Sequence, residues 1–315
     1  MRRTAGMLAC TVVLSGCAAF ADDTSGTQVA AAFYPLEYVA ERVAGEHASV
    51  DELTAPGTEP HDLELTIRET ALLARADLVV HEAGLQPAVD DAVEQNAAGE
   101  VIDAAEVVGL QPFGEEHEDE AEHGDEHAEE EEHTADDGHD HGDDLDPHFW
   151  LDPLRMAELG DAVASALSGS DPDPADDFEA NAVALRTDLE ALDATYVEGL
   201  ADCERDTIVV SHDAFGYLGR FGIEVAPVAG LSPDAEPTPA VLAELQQLIA
   251  DEGITTVFSE RLVSSRLTDT LADDVGVETA LLDPIEGLSE ETSDDDYVSL
   301  MQDNLVALRK ANGCR

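Results

Sequence analysis

The stretch "ADDFEANAVALRTDLEALDATYVEGL", residues 175–200, decides how the chain is organised. Its apolar side chains recur at steps of three and four, which places them on one face of an α-helix. These side chains are Phe178, Ala182, Leu185, Leu189, Leu192 and Tyr196. An uninterrupted helix of this length spans about 40 Å, so we expect a strut between two lobes.

On either side of this helix, short apolar runs alternate with helical patterns. The runs before it lie at 27–33, 49–53, 77–83 and around Val101, and those after it at 207–211, 223–227, 254–260 and 278–283. This alternation predicts an α/β fold with parallel sheets and helices on both faces. Ligands of such sheets bind beyond the carboxyl ends of the strands, so we expect a ligand-binding cleft between the lobes.

The pattern predicts boundaries for each part of the mature chain. We place the N-terminal α/β lobe at 28–170, the linking helix at 171–202 and the C-terminal α/β lobe at 203–315. Residues 115–146 interrupt the first lobe with 18 acids and six histidines. This insertion cannot bury enough apolar surface to order itself, so we expect it to be disordered.

The N-terminus reads as a secretion signal. An arginine pair and a short apolar run precede "LSGC" at 14–17, which matches a lipobox. We therefore predict a lipoprotein signal at 1–17, lipidation of Cys17 and a tether at 18–27. A plain signal peptide with a chance cysteine is the alternative.

The chain has four cysteines, and two of them lie in the predicted signal. Cys10 leaves with it and Cys17 takes the lipid, so Cys203 and Cys314 are left. Outside the cytoplasm such a pair persists as a disulfide. We expect Cys203 and Cys314 to be bonded.

The formal net charge is −58, from 72 acids against 14 bases. A surface of this sign repels nucleic acid and anionic membranes and favours cations. Proteins adapted to high salt are also acidic throughout, so the charge alone is weak evidence for metal binding.

Three histidines and one aspartate occupy loops at predicted strand ends: His61, His148, His212 and Asp283. Three nitrogen donors and one oxygen donor suit tetrahedral zinc, although cobalt, nickel or copper also fit. His81 and Glu82 end a strand too, but they lead into a helix and are left out. No HExxH zinc-hydrolase motif occurs.

Several motifs together resemble one family. They are "GTEPHDLELT", "DPHFWLDP", "VVSHDAFGYLGRFGIE", "GLSPDAEPTPAVLAEL" and "LLDPIEGL", from about residue 28 to the C-terminus. The chain is similar to the substrate-binding lipoproteins of bacterial zinc and manganese ABC importers, the high-affinity zinc uptake proteins. That resemblance implies two α/β lobes joined by a rigid helix, with the metal held between them.

The resemblance also implies the site. It assigns His61, His148, His212 and Asp283 as the Zn²⁺ ligands, with Glu59 as an alternative fourth ligand. A carboxylate stands at the third position in manganese members, so His212 favours zinc. A His- and acid-rich insertion is typical of zinc members, and we expect its histidines to be weak auxiliary metal sites. They are His117, His123, His127, His133, His139 and His141.

The expected function is capture of Zn²⁺ outside the cell membrane and delivery to an importer. The partners would be a permease and its ATPase, the membrane would be contacted through the lipid anchor, and the protein would be a monomer. No catalysis is expected. The alternatives are a zinc-buffering or adhesion lipoprotein without a transporter, a manganese-specific protein, or a zinc hydrolase with an open coordination position.

Overall fold

The computed structural model describes residues 26–112, 145–233 and 235–315. The predicted lipobox at 14–17, with Cys17, lies outside this range, as do the six histidines of the insertion. Within the described residues, no helix has the length and apolar character needed to cross a membrane.

The first half builds a four-stranded parallel sheet in the order β2-β1-β3-β4. Its elements are β1 (Thr27–Ala31), α1 (Tyr34–Ala44), β2 (Ala48–Glu52), α2 (Ile67–Arg75), β3 (Leu78–His81), α3 (Pro87–Asn96), β4 (Glu100–Asp103) and α4 (Ala104–Val108). Local sequence sets the helix starts. Pro35 lies in the first turn of α1, where its missing N–H costs nothing, and Thr66 and Glu69 form a capping box on α2.

A short antiparallel pair and two helices follow. These elements are β5 (Gln111–Pro112), β6 (Leu145–Asp146), a 3-10 turn at Phe149–Leu151, α5 (Pro153–Ser170) and α6 (Ala175–Leu200). α6 contacts α1 and α5 on one side and α9 on the other. The predicted strut is thus a helix over the predicted residues.

The second half repeats the architecture with strand order β10-β9-β7-β8, all parallel. Its elements are β7 (Thr207–Val210), a 3-10 helix at Gly216–Phe221, β8 (Glu224–Pro227), α7 (Pro239–Glu252), β9 (Thr256–Ser259), α8 (Arg266–Val275), β10 (Glu278–Leu281) and α9 (Tyr297–Asn312). The two parallel sheets confirm the predicted α/β fold class.

One hydrophobic cluster runs from β1 to α9 and joins the halves. Trp150, fully buried, lies at its centre and meets the Phe33 ring edge-on at 5.0 Å. The Trp150 indole donates to the carbonyl of Pro284 at 2.7 Å, and Tyr297 Oη donates to the carbonyl of Trp150 at 2.5 Å. The residue two places after His148 therefore ties the first half to the second.

The predicted disulfide is confirmed: Cys203 and Cys314 are bonded. The bond joins the segment after α6 to the residue that follows the end of α9, across a sequence separation of 111. The disulfide therefore links the end of α9 to the C-terminal end of α6.

Candidate metal centre

Four side chains from four different loops meet at the junction of the two halves. They are His61, His148, His212 and Glu286, and one donor atom of each lies within 4.8 Å of the others. His61 follows β2, His148 follows β6, His212 follows β7 and Glu286 follows β10. Each half contributes two, so the group exists only when the halves are packed together.

The three imidazole rings face one another closely. Their centroids are 5.4 Å apart for His148 and His212, 5.6 Å for His61 and His148, and 5.9 Å for His61 and His212. Glu286 Oε1 lies 3.4 Å from His212 Nε2, 3.8 Å from His148 Nε2 and 4.0 Å from His61 Nδ1. His148 and His212 are wholly buried and Glu286 is 1% exposed.

A carboxylate approaches the Nδ1 atom of every histidine in the group. Glu59 Oε1 lies 2.5 Å from Nδ1 of His61, Asp146 Oδ1 lies 2.9 Å from Nδ1 of His148, and Glu260 Oε1 lies 2.7 Å from Nδ1 of His212. In a neutral imidazole, such a partner holds the proton on Nδ1 and leaves the lone pair on Nε2.

The other ring nitrogen of each histidine, Nε2, has no such partner in the described part of the chain. Among the described residues, Nε2 of all three histidines and Oε1 of Glu286 are buried without a hydrogen-bond partner. Buried polar atoms are nearly always paired. With the histidines neutral, these four converging atoms could form the donor set of a cation site, and three nitrogens with one oxygen match a tetrahedral zinc ion.

Burial and charge act on the histidines in opposite directions. Burial lowers the pKa of His148 well below its usual value, and the neighbouring His212 lowers it further. Burial also lowers the pKa of His212, but Glu260 and Glu286 together outweigh it and raise that pKa to about 10. Because a ligating histidine must be neutral, a metal that binds here displaces the proton that His212 holds.

The sequence-predicted ligands are only partly brought together. His61, His148 and His212 meet as expected, but the fourth member of the group is Glu286, three residues beyond Asp283. The Asp283 carboxylate instead accepts hydrogen bonds from Arg261 Nε at 3.0 Å and from the backbone N–H of Ile285 at 2.9 Å. Glu59, the predicted alternative, contacts His61 and is not a member of the group.

Sequence reasoning did not point to Glu286, because it looked for the fourth member of the group at the end of the strand itself. The motif "DPIEGL" carries a second carboxylate, but its direction depends on a backbone reversal at Ile285, where φ is +61°. Such a conformation is unusual for a β-branched residue and has no signature in the sequence.

Fold and site together define a two-lobed α/β protein with a buried His₃Glu cluster, suited to a metal ion, between its lobes. The sequence profile of one family, "ZnuA: Zinc-uptake complex component A periplasmic", matches residues 29–311. The chain therefore belongs to the ZnuA family.

Two curated relatives illustrate the similarity. The zinc-binding lipoprotein AdcA of Streptococcus pneumoniae is 34% identical over 308 residues, which cover 96% of this chain and 59% of that protein. The high-affinity zinc uptake system protein ZnuA of Bacillus subtilis is 32% identical over 288 residues, which cover 89% of this chain and 86% of that protein. The chain thus spans well under two thirds of AdcA and most of the Bacillus protein.

Solved structures agree with the fold. The crystal structure of Zn(II)-bound AdcA from Streptococcus pneumoniae superposes with a TM-score of 0.72 at 31% identity, covering 91% of this chain and 58% of that one. The Zn(II)-bound ZnuA-like domain of the same protein gives a TM-score of 0.71 at 31% identity and covers 99% of that domain. Most of this chain, 91%, therefore superposes on the ZnuA-like domain of AdcA.

Proposed function

We propose that this protein captures one Zn²⁺ ion at the His₃Glu centre and delivers it to an ABC-type importer. The ligands are Nε2 of His61, His148 and His212 and a carboxylate oxygen of Glu286. The observation that carries the proposal is the convergence of four buried acceptor atoms that have no partner among the described residues.

The donor set favours zinc over manganese. Mn²⁺ prefers carboxylate, carbonyl and water oxygens, whereas imidazole suits zinc. Three of the four donors here are imidazole nitrogens. A site closed by four protein donors leaves no open position for a reacting water, so it is suited to holding and releasing a cargo ion rather than to hydrolysis.

The role outside the cell rests on sequence and on named relatives. The lipobox at 14–17 would anchor the protein through Cys17 to the outer face of the cell membrane, and a relative carries the name zinc-binding lipoprotein. The partners would then be a permease and its ATPase, and the protein would act as a monomer. The acid-rich insertion would add weak zinc sites through its six histidines.

The test is competitive Zn²⁺ titration of the purified protein against a chromophoric chelator. His148→Ala or His212→Ala removes one of four donors, so the affinity should fall by orders of magnitude relative to wild type. His47→Ala is the matched control, because His47 is exposed, bonds Asp177 at 3.0 Å and lies outside the cluster. Wild-type zinc affinity in the two cluster variants would refute the assigned site.

The delivery step has its own readout. In a strain that lacks the gene, zinc-limited growth should be restored by the wild-type protein and by His47→Ala, but not by His212→Ala. Tight zinc binding in vitro without any effect on growth would support a zinc-buffering role instead.

A further inference from the structure

The segment that carries Glu286 makes a turn that its own sequence does not favour. Ile285 is fully buried and has a φ of +61°. β-Branched residues rarely adopt this conformation, which persists only where surrounding contacts impose it. The contacts that impose it decide where the next side chain, Glu286, is directed.

Asp283 provides those contacts from one side of the turn. Its Oδ1 accepts the N–H of Ile285 at 2.9 Å and its Oδ2 accepts Arg261 Nε at 3.0 Å. Its own backbone is held by Asn304, whose side chain accepts the N–H of Asp283 at 2.8 Å and donates to its carbonyl at 2.6 Å. Both carboxylate oxygens of Asp283 are therefore occupied within the second half.

The first half holds the same segment at two further points. Trp150 Nε1 donates to the carbonyl of Pro284 at 2.7 Å, just before the turn. The N–H of Gly57 donates to the carbonyl of Leu288 at 2.6 Å, just after it. Glu286 thus lies between two backbone anchors, and the carboxylate of Asp283 fixes the turn between them.

We propose that Asp283 is the positioning residue of the metal centre: it holds the Ile285 turn so that Glu286 reaches the three histidines, and it does not ligate the metal. The proposal rests on the zinc-binding function proposed above. It assigns a role to Arg261 as well, which neutralises and orients the Asp283 carboxylate. Through this relay, a residue outside the donor set controls the fourth donor.

The test is a double-mutant cycle of zinc affinity with Asp283→Asn, Glu286→Gln and both together. Loss of an outer partner of a ligand typically lowers metal affinity about 10–100-fold, and we expect Asp283→Asn to fall in this range. Because its effect passes through Glu286, the same change in the Glu286→Gln background should cost less than about threefold. Wild-type affinity in Asp283→Asn, or an equal loss in both backgrounds, would overturn the proposal.

Arg261→Gln provides a second variant in case Asp283→Asn does not fold. The Arg261 side chain is 22% exposed, and a circular dichroism spectrum like that of wild type shows whether the variant folds. Arg261→Gln should weaken zinc binding when Glu286 is present and should have no further effect in the Glu286→Gln background. Glu291→Gln is the matched control for Arg261→Gln, because Glu291 pairs with the same guanidinium but its side chain is 80% exposed. The Glu291→Gln variant should bind zinc like wild type.

The outcomes separate this inference from the proposed function. Absence of tight zinc binding by the wild-type protein would refute the metal site itself. Tight binding that is insensitive to Asp283→Asn and Arg261→Gln would leave the site standing and reject the positioning role. If Glu291→Gln and Arg261→Gln lowered the zinc affinity equally, the positioning role would also be rejected. The affinity would then depend on the charges around Arg261 and not on its contact with Asp283.

Discussion

At the scale of single residues, the His₃Glu cluster depends on side chains that are not members of it. The carboxylate of Asp146 accepts hydrogen bonds from both the backbone N–H and Nδ1 of His148, so it fixes the ring in position and tautomer. Asp146 is 1% exposed and has little room to move. Any group that displaces it must therefore displace His148.

Gly216 tests this dependence. A Cβ atom at Gly216 would lie 2.4 Å from Asp146 Oδ2, closer than van der Waals contact allows. We predict that Gly216→Ala lowers zinc affinity about 10–100-fold, the usual cost of losing an outer partner of a ligand. Competitive zinc titration of folded protein measures it.

Gly219→Ala is the control for this prediction. It makes the same change in the same 3-10 helix, but its Cβ would meet nothing within 4 Å. It should bind zinc like wild type. Equal affinities of the two variants would show that the close approach to Asp146 has no functional consequence.

Three of the four members of the group could be predicted from the sequence, because each histidine lies in a loop that the predicted topology places on the cleft side. His212 lies two residues after β7, so strand topology alone places it. Glu286 could not be predicted in this way, since its direction depends on hydrogen bonds from Asn304 and Trp150, which are distant in sequence. Local pattern locates a loop, but tertiary contacts direct its side chains.

At the scale of elements, long periodic segments were predicted well and short ones were not. α6 covers the predicted residues 175–200, because its apolar spacing is regular over about five turns, from Phe178 to Tyr196. The connection between β7 and β8, where the alternating pattern predicts a helix, is a 3-10 helix, Gly216–Phe221. Its two glycines disfavour a regular α-helix, and the first of them lies against Asp146. The short helix α4 was not anticipated, because five residues are too few for a periodic signal.

The disulfide gives a prediction at this scale. It closes a long loop and ties the end of α9 to the base of α6. Replacing Cys203 and Cys314 by serine should lower the free energy of unfolding by about 2–5 kcal/mol, as loss of a native disulfide commonly does. Urea denaturation of the zinc-free protein measures this change.

The same variant should keep its zinc affinity, because α9 remains buried through Leu300, Met301 and Leu308, which hold Asn304 against Asp283. Reduced wild-type protein should unfold at the same urea concentration as the double variant. An unchanged unfolding midpoint would mean that packing alone secures the last helix.

At the scale of the whole molecule, the net charge of −58 works against compactness. The effect is concentrated where acids are partly buried together. Burial, reinforced by the charges of Glu37 and Glu41, raises the pKa of Glu52 to about 8. Burial, reinforced by Glu41 and Asp51, raises the pKa of Glu37 to about 7. These carboxyl groups lie at the end of β2 and on α1, near the loop that carries His61.

The sign of the resulting pH dependence follows from linkage. The unfolded chain loses the Glu52 proton near the ordinary value of about 4.5, whereas the folded chain retains it to about pH 8. The contribution to stability is therefore fully present below pH 4.5 and is lost as the pH rises towards 8. Stability of the zinc-free protein at low ionic strength should fall across this window.

Glu52→Gln isolates this contribution, because its side chain stays neutral at every pH. At about pH 8 and low salt, we predict that the variant is more stable than wild type by roughly 1 kcal/mol, or about 2–4 °C in Tm. The estimate allows for screening at a partly exposed site. At about pH 5 the two proteins should melt at the same temperature. At pH 8, about 1 M salt should reduce the difference in Tm, since salt screens repulsion among the acids.

Glu46→Gln removes the same unit of charge from an exposed position on the loop after α1, so it distinguishes local repulsion from total charge. Differential scanning calorimetry with a chelator present measures all three proteins. Equal stabilisation by both variants at pH 8 would assign the effect to net charge over the whole surface, and the partly buried acids would then carry no special share of it.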